Sequence, residues 1–402
     1  MKKVIISAAL LIAFTIFATI TLSTPNTVLY LLNWGEYIDD SLVQQFEEEK
    51  HCQVVLETVT SSEAMYQKII SGTTPYDVAI PGDYMVRKLY AEGYLRELDV
   101  KNTNYTALSQ YDNIYTDSLT KLMQEYLLDP VNCKEFNAYF APYFCGAYSL
   151  IYSTQNSEVD SVVKENGFRA LFDRSLYASP IKIGMYDTAR WMVAAYLMSQ
   201  GKNPNMTHLG GSTDGDIEPA LQEEIIKALK DAHFDEFGND ALKRNVASGS
   251  LDLCFTQLGD FFDALYLAYS EGQSNIAFNV SIPSVSSAFF DAMVVPTTCQ
   301  NYELANAFVD FMLQEDHAFQ NAQAIGYSPC LKSVCDRYHQ EAEAGAYYYG
   351  DENTVNALSL KDFLTRYPMY LDPFGSVSEL YMFEPKSNDY LTTCEAIFNS
   401  LA

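Results

Sequence analysis

The sequence predicts an α/β fold of two lobes, each an open, mostly parallel sheet with flanking helices, joined by a hinge. Two observations support this class. The chain has 402 residues, more than one ordinary hydrophobic core accommodates. Short apolar runs typical of buried strands also alternate with amphipathic segments typical of helices, and this order favours parallel strands covered by helices on both faces.

The alternation begins after residue 26. Residues 28–32 are wholly apolar and predict a strand that is buried on both faces. The apolar segment at 54–56 predicts the second strand, and the segment 76–80, bounded by Pro75 and Pro81, predicts the third. Further strands are predicted at 181–186, 251–255 and 292–295, the last of them directly after Phe289-Phe290-Asp291.

Helices are predicted between these strands. Ser41 with Gln44, and Thr60 with Glu63, have the spacing of a capping box, in which each residue satisfies a free backbone N–H of the first turn. Gly72 is placed to end the second of these helices. Further helices are expected up to Gly93, over 189–200 and over 218–230, and residues 202–218 are expected to form a surface loop.

The N-terminal segment predicts export. Lys2 and Lys3 precede an apolar run from Val4 to about Leu22, the arrangement of a secretory signal peptide. A run of about 19 residues is also long enough to span a bilayer. Residues 1–25 are therefore expected to be a signal peptide or a membrane anchor. The rest of the protein is expected to be extracytoplasmic, with membrane contact only through this segment.

Composition and missing motifs exclude several classes of protein. A net charge of −27 repels nucleic acid and attracts cations. The sequence contains no phosphate-binding loop, metal-ligand spacing or nucleophile motif, so we expect no cofactor, no metal and no catalysis. The eight cysteines are scattered and are expected to be buried and reduced, although Cys330 and Cys335 stand close enough to bridge. The five histidines are expected to be exposed.

Two predicted strand ends carry the same chemistry. In open α/β sheets, ligands bind beyond the carboxyl ends of the strands. The first strand ends in a segment that contains Trp34, Glu36 and Tyr37, and the third ends just before Asp83 and Tyr84. Each end offers a carboxylate beside aromatic rings, which favours a site for an organic cation.

Five short motifs resemble, in order, those of the spermidine/putrescine-binding proteins of bacterial ABC importers. The motifs are NWGEY at 33–37, YDVAIPGDY at 76–84, PYFCG at 142–146, FFD at 289–291 and IGYSP at 325–329. The resemblance extends over most of the chain after the N-terminal segment. The resemblance implies a two-lobed periplasmic-binding-protein fold of type II that closes over its ligand. The first lobe would comprise 27–145 plus 291–335, and the second 146–290 plus 336–402.

The resemblance also implies a function. The protein would be a monomer that captures a polyamine between its lobes and delivers it to a membrane permease driven by a cytoplasmic ATPase. Such proteins hold ammonium groups with carboxylates and cover the methylene chain with rings, as the cost of desolvating an alkylammonium requires.

The ligand-binding residues follow from the matching positions. Glu36 and Asp291 match the family's carboxylates, and Asp83 adds a carboxylate where small hydroxyl residues are usual. Gln257 and Phe289 stand where tryptophan is common. In the second lobe Trp191 replaces an expected acid, for which Asp187 is the substitute. The full predicted set is Trp34, Glu36, Tyr37, Asp83, Tyr84, Asp187, Gln257, Phe289, Asp291 and Tyr327.

Two other functions remain open at this point. A binding protein for another small organic solute fits the same fold. A secreted carboxylate-dependent hydrolase is a more distant alternative, because paired acids in an aromatic cleft also hydrolyse glycosides. Two close, shielded acids, one with a raised pKa, would mark that enzyme.

Overall fold

The computed structural model describes residues 27–99, 115–126, 137–273 and 275–401. The predicted signal peptide or anchor at 1–25 lies outside these residues. Within the described ranges no helix combines the length and the hydropathy that a membrane crossing requires.

The described chain alternates strands and helices, as predicted. The strands are β1 (Val28–Trp34), β2 (Gln53–Val59), β3 (Val78–Ala79), β4 (Leu95–Arg96), β5 (Ala141–Ser153), β6 (Ile183–Tyr186), β7 (Glu236–Gly238), β8 (Leu253–Gln257), β9 (Phe278–Ser281), β10 (Val285–Met293), β11 (Val295–Pro296), β12 (Ser328–Pro329), β13 (Tyr347–Tyr349), β14 (Leu358–Ser359) and β15 (Glu379–Met382). The helices are α1 (Asp40–Lys50), α2 (Ser62–Ser71), α3 (Asp83–Ala91), α4 (Asp117–Tyr126), α5 (Ser157–Asn166), α6 (Arg169–Phe172), α7 (Ala189–Ser199), α8 (Pro219–Ala232), α9 (Asp240–Ala247), α10 (Leu258–Ser270), α11 (Tyr302–Met312), α12 (Glu315–Ile325), α13 (Lys332–Glu343), α14 (Leu360–Arg366) and α15 (Asn388–Asn399).

The first lobe is built on a parallel sheet in the order β2-β1-β3. The apolar run at the start of the chain forms its central strand, where Leu29, Leu31 and Leu32 are fully buried. Because all three strands run the same way, their carboxyl ends meet at one edge. The segment after β1 and the start of α3 therefore lie side by side at that edge.

The second lobe is built on a larger sheet in the order β15-β10-β5-β8-β6-β7. It is mixed rather than mostly parallel. The pairs β6–β7, β6–β8 and β10–β15 are parallel, while the long strand β5 is antiparallel to both β8 and β10. The two-lobed α/β class is confirmed, and the predicted lobe boundaries stay predictions.

Strands β5 and β10 connect the lobes. Phe289 stands opposite Gly146, and Asp291 stands opposite Phe144. The residues Phe289-Phe290-Asp291 were expected to precede a strand at 292–295, but they lie inside β10. A backbone bridge between Gly82 and Asp291 then fixes β10 against the first sheet's carboxyl edge.

Both predicted helix starts are displaced by one or two residues. The side chain of Asp39, not Ser41, caps α1 by accepting from the Ser41 N–H at 2.9 Å. Ser61, not Thr60, caps α2 by accepting from the Ala64 N–H at 3.1 Å. In each case the cap is the last extended residue whose oxygen reaches the free donors of the first turn. Gly72 ends α2 as predicted, with φ of +62°.

The expectation of buried, reduced cysteines is confirmed for the seven that the structure describes, all of them buried and unbridged, while Cys133 lies outside those residues. The expectation of exposed histidines is wrong for His317. Its ring is buried, stacks on Phe311 at 3.8 Å between ring centroids, and lies 3.1 Å from the amide nitrogen of Gln45. An apolar face on α12 accounts for this burial, since Phe319 and Ala322 are buried with it.

Candidate functional site

A cavity of about 170 Å³ lies between the two lobes, bounded by the carboxyl edge of the first sheet and by β5, β8 and β10. One buried water needs about 10–15 Å³, so the space admits a small organic molecule. Eight of the ten predicted residues line it: Trp34, Tyr37, Asp83, Tyr84, Gln257, Phe289, Asp291 and Tyr327. Glu36 and Asp187 do not.

Two buried carboxyl groups, those of Asp83 and Asp291, form part of the cavity wall. Asp83 opens α3 and accepts one hydrogen bond, from the Phe290 N–H at 3.1 Å, while its second carboxyl oxygen has no partner. Asp291 accepts from the Tyr37 hydroxyl at 2.7 Å. The Gly82–Asp291 bridge brings the two residues next to each other, and among the described residues no lysine or arginine is hydrogen-bonded to either carboxyl group. Arg87 and Arg190 act on Asp83 only through space.

Both carboxyl groups have raised pKa values because they are buried. Burial, helped by the neighbouring Asp291, raises the pKa of Asp83 to about 7. The hydrogen bond from the Phe290 N–H and the positive charges of Arg87 and Arg190 act in the opposite direction. Burial also raises the pKa of Asp291 to about 7, against the hydrogen bond from Tyr37. A ligand cation between them would favour the ionised form of both.

Aromatic rings surround the acids. Tyr37 and Tyr327 meet edge to face with ring centroids 4.9 Å apart. Phe289 lies directly over Gly146, where a Cβ atom would be 2.7 Å from the ring, so this ring position requires glycine. Gly259 gives Tyr327 its space in the same way, because a Cβ there would lie 2.1 Å from the ring.

Several lining residues in the second lobe are absent from the predicted set: Tyr148, Tyr186, Trp191, Asp240, Asp260 and Phe383. Tyr186 is the last residue of β6, so the strand-end rule that found Trp34 could have found it. Trp191 had been noted only as a replacement for an acid. Tyr148 lies in the middle of β5, and no sequence signal distinguishes it from core.

Asp260 is a fully engaged carboxylate. One oxygen accepts from Tyr186, from Thr256 at 2.5 Å and from the Gln257 N–H at 3.2 Å. The other accepts from Tyr327 at 3.2 Å. Little of its acceptor capacity is left for a ligand, so it shapes the cavity by holding these side chains in place.

Glu36 does not reach the cavity, although the sequence predicted it as a ligand-binding carboxylate. Its backbone adopts the left-handed conformation with φ of +51°, which turns the side chain outward. Its carboxylate is 57% exposed and bonds Arg244 on α9. The preceding Gly35 is the residue that lines the cavity there.

Asp187 is also outside the cavity. It is exposed and borders a separate open groove together with Thr60, Glu63 and Arg190. Arg190 is itself buried, and its guanidinium lies over the ring of Tyr84 at 4.3 Å. The substitution of Asp187 for the missing second-lobe acid has no support from this geometry.

Comparison with known proteins agrees with the fold and the cleft. Residues 33–318 match the family described as bacterial extracellular solute-binding protein. The putrescine-binding periplasmic protein PotF of Escherichia coli K12 is 24% identical over 325 residues, 78% of this chain and 80% of that protein. The spermidine/putrescine-binding periplasmic protein of the same organism is 26% identical over 305 residues, 75% of this chain and 77% of that protein. The structure of the spermidine/putrescine ABC transporter substrate-binding protein PotD of Streptococcus pneumoniae, 25% identical, covers 94% of this chain and 98% of its own with a TM-score of 0.62.

Proposed function

The chain belongs to the family of bacterial extracellular solute-binding proteins, and we propose that it captures a polyamine of the spermidine/putrescine class for an ABC importer. The ligand would bind in the cavity between the lobes, which close over it. No covalent step is involved.

The observation that carries this proposal is the pair of buried acids Asp83 and Asp291. A buried carboxylate with no cationic partner is costly, and an ammonium group supplies both the missing charge and the missing donors. Asp83 has a free oxygen for it, and Asp291 has only one neutral donor.

The rings explain why the cation would carry an alkyl chain. Trp34, Tyr84, Phe289 and Tyr327 all contribute to the lining. Ring faces attract an ammonium group and cover methylene groups that water hydrates poorly. A small inorganic cation would use the acids but none of this apolar surface.

We further propose the cellular setting from the relatives, whose names place them in the periplasm. The protein would act as an extracytoplasmic monomer, kept at the membrane by its N-terminal segment. A permease with a cytoplasmic ATPase would receive the ligand. The strong net negative charge would attract polyamines to the protein from solution.

Titration calorimetry tests the ligand class. The full-length protein is titrated with putrescine, spermidine, spermine and a neutral sugar. One-to-one binding of an amine, weakened by Asp83→Asn and Asp291→Asn, supports the proposal. Asp187→Asn is the matched control, because the same change is made to an exposed acid outside the cavity. No amine binding up to about millimolar concentration, a free energy of only about 4 kcal/mol, would contradict it.

The hydrolase alternative is favoured by one feature, since Asp83 and Asp291 are close, shielded acids with raised pKa values. The relatives, however, are named for binding polyamines, and one ammonium group placed between the two acids would satisfy both of them. We therefore favour the binding function.

A further inference from the structure

Glu36 and Arg244 form an ion pair beside the cavity, since Gly35 and Tyr37 on either side of Glu36 line it. Glu36 follows β1 in the first lobe, and Arg244 lies on α9 in the second. The Arg244 Nη2 atom is 2.9 Å from each carboxylate oxygen of Glu36. This contact joins the two lobes directly and involves no residue of the cavity lining.

Lys243 connects that ion pair to the cavity wall. Its side chain is only 5% exposed, and its Nζ atom lies 3.8 Å from Glu36, 3.7 Å from Asp260 and 2.8 Å from Asp263. Asp260 in turn accepts from Tyr327, which lines the cavity. The ion pair and the cavity wall thus share one network of charges and hydrogen bonds.

We propose that Glu36 and Arg244 are positioning residues that slow ligand release by holding the lobes together, without touching the ligand. This rests on the proposed function, in which the lobes close over an amine. Glu36 would then act through Arg244 rather than as a carboxylate for the ammonium group.

The location of the pair predicts which rate it controls. The ligand enters while the lobes are apart and the pair is broken, so the pair contributes nothing to the encounter complex. The ligand leaves only after the lobes separate, which requires the pair to break. Since both side chains are about half exposed, the gain is modest, and the release rate should change about two- to fivefold.

A double-mutant cycle on the full-length protein tests this. Stopped-flow tryptophan fluorescence reports the rates of putrescine and spermidine association and release for Glu36→Gln, Arg244→Gln and the double variant. Each single variant should raise the release rate about two- to fivefold, with association within about twofold of wild type at 0.15 M salt. The double variant should release no faster than the faster single variant.

Charge-swapped variants and one control variant separate positioning from general effects on structure. The double variant E36R/R244E should release the ligand more slowly than either single variant, E36R or R244E. Arg169→Gln is the matched control, because Arg169 is exposed to a similar degree, forms an ion pair with Asp173 at 2.7 Å, and neither residue lines the cavity. It should leave the release rate unchanged, and the melting temperature should be the same for all of these variants.

The contradicting results are distinct. A large loss of affinity in Glu36→Gln with none in Arg244→Gln, or additive effects in the double variant, would show that Glu36 acts on the ligand itself and would overturn this proposal alone. If the wild-type protein binds no amine, the proposed function fails and the present proposal fails with it.

Discussion

Replacing Asp291 by asparagine should weaken ligand binding and stabilise the unliganded fold. Asp291 is 7% exposed, and in the part of the chain that the structure describes no lysine or arginine bonds its carboxyl group. Its side-chain shape and its hydrogen bond from Tyr37 survive the change, because an amide oxygen also accepts. Only the negative charge is lost. The negative charge favours ligand binding but destabilises the unliganded protein. Its loss should therefore weaken binding and raise stability.

The magnitudes follow from burial and pairing. A hydrogen bond to a charged group contributes about 1.5–3 kcal/mol, so amine affinity should fall about 10- to 100-fold. The pKa of Asp291 rises from 3.8 to about 7 on folding, and at 1.36 kcal/mol per unit this sets an upper limit of about 4 kcal/mol on the stability cost. Because the folded-state pKa is the higher one, stability is lost as the pH rises from about 4 to about 7. Asparagine cannot ionise and avoids that loss.

Calorimetric titration and thermal unfolding of the same preparations check both signs. At pH 8 the Asp291→Asn variant should melt higher than wild type and bind amines more weakly, while near pH 4 the two melting temperatures should converge. A variant that melts lower at pH 8, or one that binds amines as tightly as wild type, would refute the role given to this carboxyl group.

Three further predictions concern the same cleft. Amine affinity should rise about thirtyfold from pH 5.5 to pH 8 if one acid with a pKa near 7 must ionise, and calorimetry showing a flat profile would contradict this. Gly259→Ala should weaken binding and lower the melting temperature, because its Cβ would displace the buried ring of Tyr327. Unchanged affinity would show that this ring makes no ligand contact. The chain has two tryptophans, Trp34 and Trp191, and both line the cavity. Amine binding should therefore change the intrinsic fluorescence of both the Trp34→Phe and the Trp191→Phe variant. A fluorescence change that disappears in one variant while its affinity is intact would show that only one indole senses the ligand.

Much of the fold follows from hydrophobic patterning. The apolar run at 28–32 marked the central strand of the first sheet because it is buried on both faces. The third strand was predicted over 76–80 but spans only Val78–Ala79. The backbone N–H of Asp77 still donates to the Tyr30 carbonyl of β1, while its carboxylate accepts from the N–H groups of Gln300 and Asn301. Those residues are more than 200 positions away, and local patterning does not contain that contact.

The site was predictable where it depends on strand ends. Trp34, Tyr37, Asp83 and Tyr84 were found because the carboxyl ends of parallel strands converge. Glu36 was placed wrongly because its left-handed backbone turns it outward, and no neighbouring residue signals that turn.

Asp240 was missed for a different reason. It belongs to α9, more than 150 residues from the first-lobe tips, and reaches the cavity only through the packing of the two lobes. Such contacts depend on how the lobes meet, which a single sequence specifies only indirectly.

The structure of the full-length protein with putrescine or spermidine bound tests the central claim most directly. We expect an ammonium nitrogen within hydrogen-bonding distance of a carboxyl oxygen of Asp83 or Asp291, with the methylene groups lying against the surrounding rings. Glu36 should remain bonded to Arg244. An amine bound outside the cavity, or held by Glu36 with Asp83 and Asp291 free, would contradict the account.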